Sequence, residues 1–277
     1  MRWALWVLVA SLGAVMSESI GRAGDEPNYD ESKVPSYELP DPLKSASGRA
    51  ITSPEEWWRV RRPEILKLFT EQMYGRAPKR PEAVLFEESL IADNVLGGKG
   101  EFRNVRIWLL GRREGPAMDV LLVLPKKAPR PVPAFVAMNF RGNASTHPHP
   151  KIPLNRNWMR NDPRRGFVDH RMTEKARGAA ASRWPYEQIL DRGYAVATVY
   201  YGDVDPDFDD GFQNGIHPWF YRPGQRRPAP DEWGSIAAWA WGLSRIMDYL
   251  ERQDRIDPKH VAVMGHSRLG KTALWAG

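Results

Sequence analysis

Apolar and polar positions change their spacing along the chain, and each spacing predicts a different element. The first is a continuous apolar run over residues 3–15, preceded by Arg2. Its length and its positive start are typical of a secretory signal peptide, and it is short for a membrane span of about 20 residues. We therefore predict a signal peptide over residues 1–17 and a secreted or periplasmic protein, with an uncleaved anchor as the alternative.

Residues 18–52 are rich in Pro, Ser and Asp and show no apolar period, which favours an extended lead-in. A helix is expected to begin directly after it. Ser53 suits the N-cap, Pro54 the first helical position and Glu56 the capping box. Pro63 is expected to interrupt or kink this helix.

Short apolar runs bounded by turn residues predict six strands, at residues 84–90, 104–110, 118–124, 132–138, 194–200 and 261–264. Helical patterns follow the fourth and fifth of them, at residues 184–192 and 231–252. Antiparallel strands followed by a β-α-β-α-β order predict an α/β fold with a mainly parallel sheet covered on both sides. Ligands of such sheets bind beyond the carboxyl ends of the strands, where loops begin at Asn139, Gly202 and Gly265.

Composition narrows the class of protein. Apolar residues make up 42% of the chain and charged residues 27%, which is ordinary for a globular domain. The absence of cysteine excludes disulfides, thiolate metal sites and cysteine nucleophiles. The twelve tryptophans suit either sugar binding or core filling, and we favour core filling for most of them.

The net charge is +6, and we expect its Lys and Arg to be scattered among Asp and Glu rather than gathered in one long block. This excess fits either a weak preference for acidic ligands or a diffuse contribution to solubility. Because the chain has no nucleic-acid-binding motif, we expect no nucleic-acid partner. No second apolar stretch is long enough to cross a bilayer, so we expect no membrane contact after signal cleavage.

Residues 265–271 spell Gly-His-Ser-Arg-Leu-Gly-Lys, between an apolar strand and a helical tail. A nucleophile elbow has this order: a strand, a tight turn with serine at its tip, and a helix. Gly265 and Gly270 allow the turn and the close approach of the helix, and the backbone N–H of Arg268 is a natural oxyanion donor. Leu269 departs from the generic elbow, which has glycine there. We predict that Ser267 is the nucleophile.

Other polar residues are weaker candidates. His147 and His149 could ligate a metal, but they lack a third ligand, and we expect neither a metal nor a cofactor. His266 is expected to pack beside the elbow and not to act as the base. Five aspartates over residues 203–210 predict a polar loop at the mouth of the site, which fails the calcium-loop pattern. Asn143 is either a polar contact in the pocket or a local turn cap.

Residues 261–277 resemble the glucuronoyl esterases, carbohydrate esterase family 15, whose nucleophile motif is G-C-S-R-x-G-K. The matching residues are Ser267, Arg268, Gly270 and Lys271. His266 stands at the common cysteine, which is similar to cysteine-free bacterial members. Residues 139–143, 200–203 and 233–239 also look like family segments, so the resemblance covers most of the chain from about Trp57 onward.

The resemblance implies an α/β-hydrolase three-layer sandwich, with residues 53–277 as the N-terminal portion of an esterase domain. It implies cleavage of esters between the glucuronic acid of xylan and lignin alcohols, with Ser267 as the nucleophile of an acyl-enzyme pathway. Arg268 would stabilise the oxyanion and Lys271 would contact sugar hydroxyls. Without the motif, both would be surface charges. Open alternatives are an acetyl xylan or other acyl esterase, and a non-catalytic carbohydrate-binding protein.

The order in such hydrolases is serine, acid, histidine, yet all six histidines of this chain precede Ser267. We therefore expect the acid and the histidine to lie downstream of Gly277, and the last strands of the sheet with them. On this interpretation the chain is part of a longer enzyme and is nearly inactive alone. The sequence determines neither the exact ester nor the oligomeric state.

Overall fold

The computed structural model describes residues 29–277, and the predicted signal peptide at residues 1–17 lies outside them. The described residues divide into two units, residues 29–42 and residues 43–277. The described part of the first unit contains one 3₁₀ turn, Glu31–Lys33, whose N-cap Asp30 accepts a hydrogen bond from the Ser32 N–H at 3.1 Å. The boundary between the units therefore falls inside the predicted lead-in.

The second unit is built on a six-stranded sheet with the order β1-β2-β3-β7-β4-β8. Its strands are β1 (Leu85–Asn94), β2 (Gly100–Trp108), β3 (Ala117–Pro125), β4 (Val132–Asn139), β7 (Ala195–Tyr200) and β8 (Ile256–Met264). A separate hairpin consists of β5 (Phe167–Val168) and β6 (Arg171–Met172). All six predicted strands are present in the sheet.

The sheet has an antiparallel half and a parallel half. Antiparallel pairing joins β1 to β2, β2 to β3 and β3 to β7, whereas β4 pairs in parallel with β7 on one side and with β8 on the other. The parallel strands end at Asn139, Tyr200 and Met264. Because carboxyl ends of parallel strands share one edge, the three loops that the sequence singled out begin side by side.

Burial follows the composition of the strands. All six residues of β7 are buried, as expected for an apolar strand inside a sheet that is covered on both faces. The strand β8 has one neighbour, β4, and is far more exposed. It begins five residues earlier than predicted, at Ile256, and its pairing with β4 shifts register before Val261. An edge strand tolerates the intervening Pro258, because proline has no N–H to donate and a residue at the edge can do without that ladder bond.

The helices are α1 (Pro54–Glu56), α2 (Arg62–Phe69), α3 (Val95–Gly98), α4 (Asn143–Thr146), α5 (Tyr186–Asp191), α6 (Ser235–Leu250) and α7 (Arg268–Ala276). Short 3₁₀ turns lie at Pro163–Arg165, Glu174–Ala176, Ala181–Arg183, Tyr201–Asp203 and His217–Phe220. Within residues 29–277, no helix combines the length and the apolar character that a bilayer span requires.

The predicted N-terminal helix is present and continues through Pro63. Ser53 caps it by accepting a hydrogen bond from the Glu56 N–H at 3.2 Å. Two π-helical stretches, Trp57–Arg61 and Thr70–Tyr74, flank α2. The expected irregularity is thus a π turn just before the proline, where a wider turn accommodates a residue that has no N–H and a bulky ring.

Helix α6 begins at Ser235, four residues later than the pattern predicts. The residues before it pair instead with the segment that leaves the N-terminal helix. The Arg76 N–H donates to the Asp231 carbonyl at 2.9 Å, and the Gly234 N–H donates to the Tyr74 carbonyl at 3.1 Å. Tertiary hydrogen bonds therefore replace the first turn of the predicted helix.

Candidate active site

The elbow has the backbone geometry that its sequence predicts. Strand β8 ends at Met264 and α7 begins at Arg268, so Ser267 occupies the tip of the turn between them. Its φ of 56° and ψ of −129° lie in a region that non-glycine residues rarely adopt. Such strain persists where the surrounding structure enforces it, and it is common at catalytic positions. The Ser267 side chain is exposed at the carboxyl edge of the sheet.

The first turn of α7 leaves a donor free beside the serine. The Leu269 N–H donates to the His266 carbonyl at 3.0 Å, and the Gly270 N–H donates to the Ser267 carbonyl at 2.9 Å. The Arg268 N–H has no acceptor among the described residues. An unpaired N–H directly after the nucleophile is the donor that an oxyanion needs.

The two glycines of the elbow differ in what they permit. A Cβ on Gly265 would lie 2.0 Å from the Leu269 carbonyl oxygen, so the backbone of α7 occupies the space of any side chain there. A Cβ on Gly270 would meet the Gly265 carbonyl oxygen at 3.5 Å, which is an ordinary contact. The close approach of α7 therefore requires glycine at position 265, whereas position 270 has room for a methyl group.

The Arg268 side chain is held on two sides. Its guanidinium forms an ion pair with the Asp207 carboxylate and lies over the Phe140 ring, 5.7 Å from the centroid. The Tyr201 hydroxyl donates to the same carboxylate at 2.9 Å. Burial and the negative charge of Asp207 raise the pKa of Tyr201, so its hydroxyl keeps its proton and donates. The predicted polar loop thus touches the arginine of the elbow through Asp207.

A cleft of about 410 Å³ opens beside Arg268. Lys271 lines it, and its ammonium has no carboxylate partner among the described residues. The remaining lining residues are Met73, Tyr74, Asp207, Gly234, Ser235, Ile236 and Trp239. Met73 and Tyr74 come from the N-terminal helix, where no local motif marks them, so the sequence does not predict their place in the cleft. The sequence indicates Trp239 only as part of a family segment.

Asn143 lies apart from this cleft. It is buried, its side-chain amide donates to the Asp119 carbonyl at 2.6 Å, and its Oδ1 accepts from Asn139 at 2.8 Å. Neither contact is a local turn cap, so the alternative interpretation of Asn143 is wrong. Its amide ties the loop after β4 to β3, and a contact with substrate stays a prediction.

No histidine within residues 29–277 hydrogen-bonds to Ser267. His217 is buried against Asp205 at 3.0 Å, and His260 bonds Asp257 at 2.7 Å near the amino end of β8. His266 is exposed, with its ring 6.4 Å from that of Phe140. Among residues 29–277 the elbow therefore has no histidine in position to act as a general base.

The other histidines serve local structure. The His149 N–H donates to His147 Nδ1 at 3.1 Å, and burial and the charge of His149 lower the pKa of His147. His170 stacks on Trp158 with ring centroids 5.1 Å apart. No group of three His, Asp or Glu side chains suited to a metal ion occurs in the described part of the chain.

Asp203 is a buried carboxyl group beside the site. Its Oδ1 accepts hydrogen bonds from Asn155 at 2.6 Å and from Asn157 at 2.7 Å, and its Oδ2 accepts from the Asp119 N–H at 3.3 Å. Burial raises its pKa to about 7 against the opposing effect of these bonds. Asp203 therefore anchors the loop around Asn155 to the edge of the sheet and is largely protonated below neutral pH.

Replacement of Asp203 by asparagine is expected to change the pH dependence of stability. In the unfolded chain this carboxyl ionises near pH 4, so between about pH 4 and about pH 7 the native state binds more protons and wild-type stability falls as pH rises. Because asparagine cannot ionise, the free energy of unfolding of Asp203→Asn should rise relative to wild type between about pH 5 and about pH 8.

Urea denaturation at both pH values measures this difference. The exposed Asp209→Asn, in the same loop, serves as the control and should keep the wild-type pH dependence. If Asp203→Asn also kept it, the raised pKa of Asp203 would be refuted.

Fold and site together define a class: an α/β-hydrolase fold whose elbow carries an exposed serine followed by a free N–H, beside a cleft lined by Arg268 and Lys271. Comparison with known proteins agrees. The family model described as glucuronyl esterase, fungi, matches residues 213–277. A solved glucuronoyl esterase from Solibacter usitatus is 43% identical with a TM-score of 0.82, over 89% of this chain and 62% of that one. The chain is a homologue of the glucuronoyl esterases, and the predicted resemblance and fold class are confirmed.

Two curated relatives extend the comparison. Carbohydrate esterase MZ0003, from an unknown prokaryotic organism, is 44% identical over 250 residues, which are 90% of this chain and 57% of that protein. A 4-O-methyl-glucuronoyl methylesterase of Neurospora crassa is 25% identical over 99% of this chain and 53% of its own length. The chain thus spans about half the length of the curated relatives that it matches.

Proposed function

We propose that this chain carries the nucleophile and the oxyanion site of a serine carboxylic ester hydrolase. We propose that this hydrolase cleaves 4-O-methyl-glucuronoyl esters that link xylan to lignin alcohols. The observation that carries the proposal is the strained Ser267 at the tip of the elbow, followed by the free N–H of Arg268. The substrate class rests on similarity to curated 4-O-methyl-glucuronoyl methylesterases.

In this proposal Ser267 Oγ attacks the ester carbonyl, and its proton passes through a general base to the departing alcohol. The acyl-enzyme is then hydrolysed by water, which releases the uronic acid and restores the serine. Negative charge develops on the carbonyl oxygen in both steps. The Arg268 N–H and guanidinium would stabilise it without reorganising, because Asp207 and Phe140 hold the guanidinium in place.

We infer that the general base and its acidic partner come from residues outside this chain. All six histidines lie before Ser267, and none of them bonds to it among the described residues. The 277 residues alone should then show weak ester hydrolysis, since an oxyanion site without a base retains little of the rate enhancement.

Lys271 is proposed to contact sugar hydroxyls, because it lines the cleft beside Arg268. Asn143 is proposed as a polar contact with substrate in the pocket, on the loop that its amide ties to β3. Export to the cell surface or periplasm is proposed from the apolar run at residues 3–15, which suits a polymer substrate outside the cell.

Ester hydrolysis by the complete gene product tests this function. The substrates are benzyl glucuronate and acetylated xylan, and each is also offered to the 277-residue chain. We expect cleavage of the glucuronate ester by the complete product, and little by the shorter chain if the base lies outside it. Preference for acetylated xylan would replace the substrate class with acetyl esters. A folded complete product that is inert on both esters would favour a carbohydrate-binding role instead.

A further inference from the structure

The excess of positive over negative charge in the chain is concentrated in one segment. Residues 151–183, the basic segment, contain nine Lys and Arg but three Asp and Glu. This difference equals the formal net charge of +6 of all 277 residues, so the rest of the chain is balanced. The expectation that the excess is scattered is therefore wrong.

Most of these cations are free to meet a ligand. Two of the nine lie within ion-pair distance of a carboxylate among the described residues: Arg165 is 3.6 Å from Asp162, and Arg177 is 2.8 Å from Glu174. The other seven have no such partner in that part of the chain, and Arg160 and Arg183 are among the exposed ones.

The basic segment crosses the edge of the sheet that carries the elbow. Asp162 lies 3.4 Å from the guanidinium of Arg141, which follows β4. The Tyr200 hydroxyl, at the end of β7, donates to the Trp158 carbonyl at 2.7 Å. The Trp158 ring also packs against Phe208 of the polar loop at residues 203–210, with ring centroids 4.7 Å apart. The charge therefore borders the loops that build the candidate active site.

Like charges are crowded within this region. Burial and the positive charges of Arg165 and Arg183 lower the pKa of Arg141, with Asp162 as the opposing negative charge. Crowded cations repel one another and raise the local concentration of anions. Guanidinium groups also bind carboxylates in a planar, two-point geometry that suits uronic acids.

We propose that the basic segment, together with Arg141, is a binding surface for an anionic polysaccharide: a xylan that carries free uronate carboxylates. This proposal rests on the proposed function, because a chain with esterified uronates also carries unesterified ones along the same backbone. Attraction of those neighbours would hold the polymer beside Ser267 while the ester enters the cleft. Among polyanions, the location at the ester site favours a uronate polymer over nucleic acid.

Equilibrium binding of the 277-residue chain to soluble glucuronoxylan tests the surface without any hydrolysis. The matched probe is the same polymer after reduction of its carboxyl groups, and single-stranded DNA is the competing polyanion. The test variant combines Arg160→Gln, Arg165→Gln and Arg183→Gln.

The control variant removes the same charge elsewhere, with Lys127→Gln, Arg252→Gln and Lys259→Gln. These exposed residues lie before β4, after α6 and early in β8, at the opposite end of the parallel strands. Unfolding temperatures of both variants establish that they are folded.

We expect wild type and control to bind glucuronoxylan about tenfold more tightly than the reduced polymer, with an affinity that falls as salt rises. The test variant should lose about that factor. Equal binding of both polymers, or an equal loss in both variants, would overturn the proposal, and tighter binding of DNA would assign the surface to nucleic acid. If the 277-residue chain binds the polymer but the complete gene product hydrolyses neither ester, the proposed function is rejected and the binding surface stands. If the complete gene product hydrolyses benzyl glucuronate but the 277-residue chain does not bind the polymer, the binding surface alone is rejected.

Discussion

Replacement of Ser267 by alanine is expected to lower kcat/KM for a glucuronate ester by about 10⁴-fold in the complete gene product. The hydroxyl is the proposed nucleophile, and no other hydroxyl can take its place at the tip of the elbow. The remaining rate would come from the oxyanion site, which still polarises the carbonyl. Initial rates with benzyl glucuronate measure the loss, and the exposed Ser182→Ala serves as the control that keeps full activity.

A second substitution at position 267 should abolish activity while it relieves backbone strain. Ser267→Gly removes the nucleophile as well, but glycine adopts a φ of 56° without strain. We expect its free energy of unfolding to exceed that of Ser267→Ala by about 1 kcal/mol, because alanine keeps the strained Cβ. Urea unfolding of the two variants gives the difference. For the activity prediction, a Ser267→Ala variant that kept more than one tenth of the wild-type kcat/KM would refute the assignment of Ser267 as the nucleophile.

Gly265→Ala is expected to destabilise the fold by at least about 2 kcal/mol and to disturb the elbow. The new methyl group would lie 2.0 Å from the Leu269 carbonyl oxygen, which is backbone and cannot rotate away. Either α7 moves or the turn opens, and both changes displace Ser267 from its free donor. Activity should therefore fall with stability.

Gly270→Ala is the matched control for this prediction. Gly270 lies inside α7, and its new methyl group would lie 3.5 Å from the Gly265 carbonyl oxygen, which is an ordinary van der Waals distance. Alanine favours helix over glycine by about 1 kcal/mol, so stability should stay equal or rise. Thermal unfolding compares the two variants under one condition. Equal destabilisation by both substitutions would show that the close approach of α7 at Gly265 does not exist in solution.

The sequence predicted most elements because their causes are local. The runs that became β3 and β7 are mostly apolar, and the middle of α6 has apolar residues at helical spacing, so neighbouring residues suffice to predict these elements. The differences arose where distant segments supply the hydrogen bonds. The start of α6 moved to Ser235 because residues 231–234 pair with the backbone around Tyr74 and Arg76, more than 150 residues earlier in the chain.

The same division holds for the site. Ser267, Arg268 and Lys271 lie in one contiguous motif, so their proximity could be predicted from spacing alone. The partner of Arg268 could not. Asp207 is one of five aspartates in a loop, and only the folded chain determines which carboxylate reaches the guanidinium. For Asn143, too, the sequence did not predict the partner. This residue lies in the loop after β4, and its side-chain amide donates to the Asp119 carbonyl of β3.

The sequence by itself determined the order of strands and helices, the elbow and the residues of its tip, because these depend on composition and spacing over a few residues. The tertiary structure decided what surrounds the serine. It brought Tyr74 to the cleft, assigned Asp207 to Arg268 and laid the basic segment across the edge of the sheet. Those contacts join residues far apart in the chain, and they form only when the packing of the core fixes where each loop leaves the sheet.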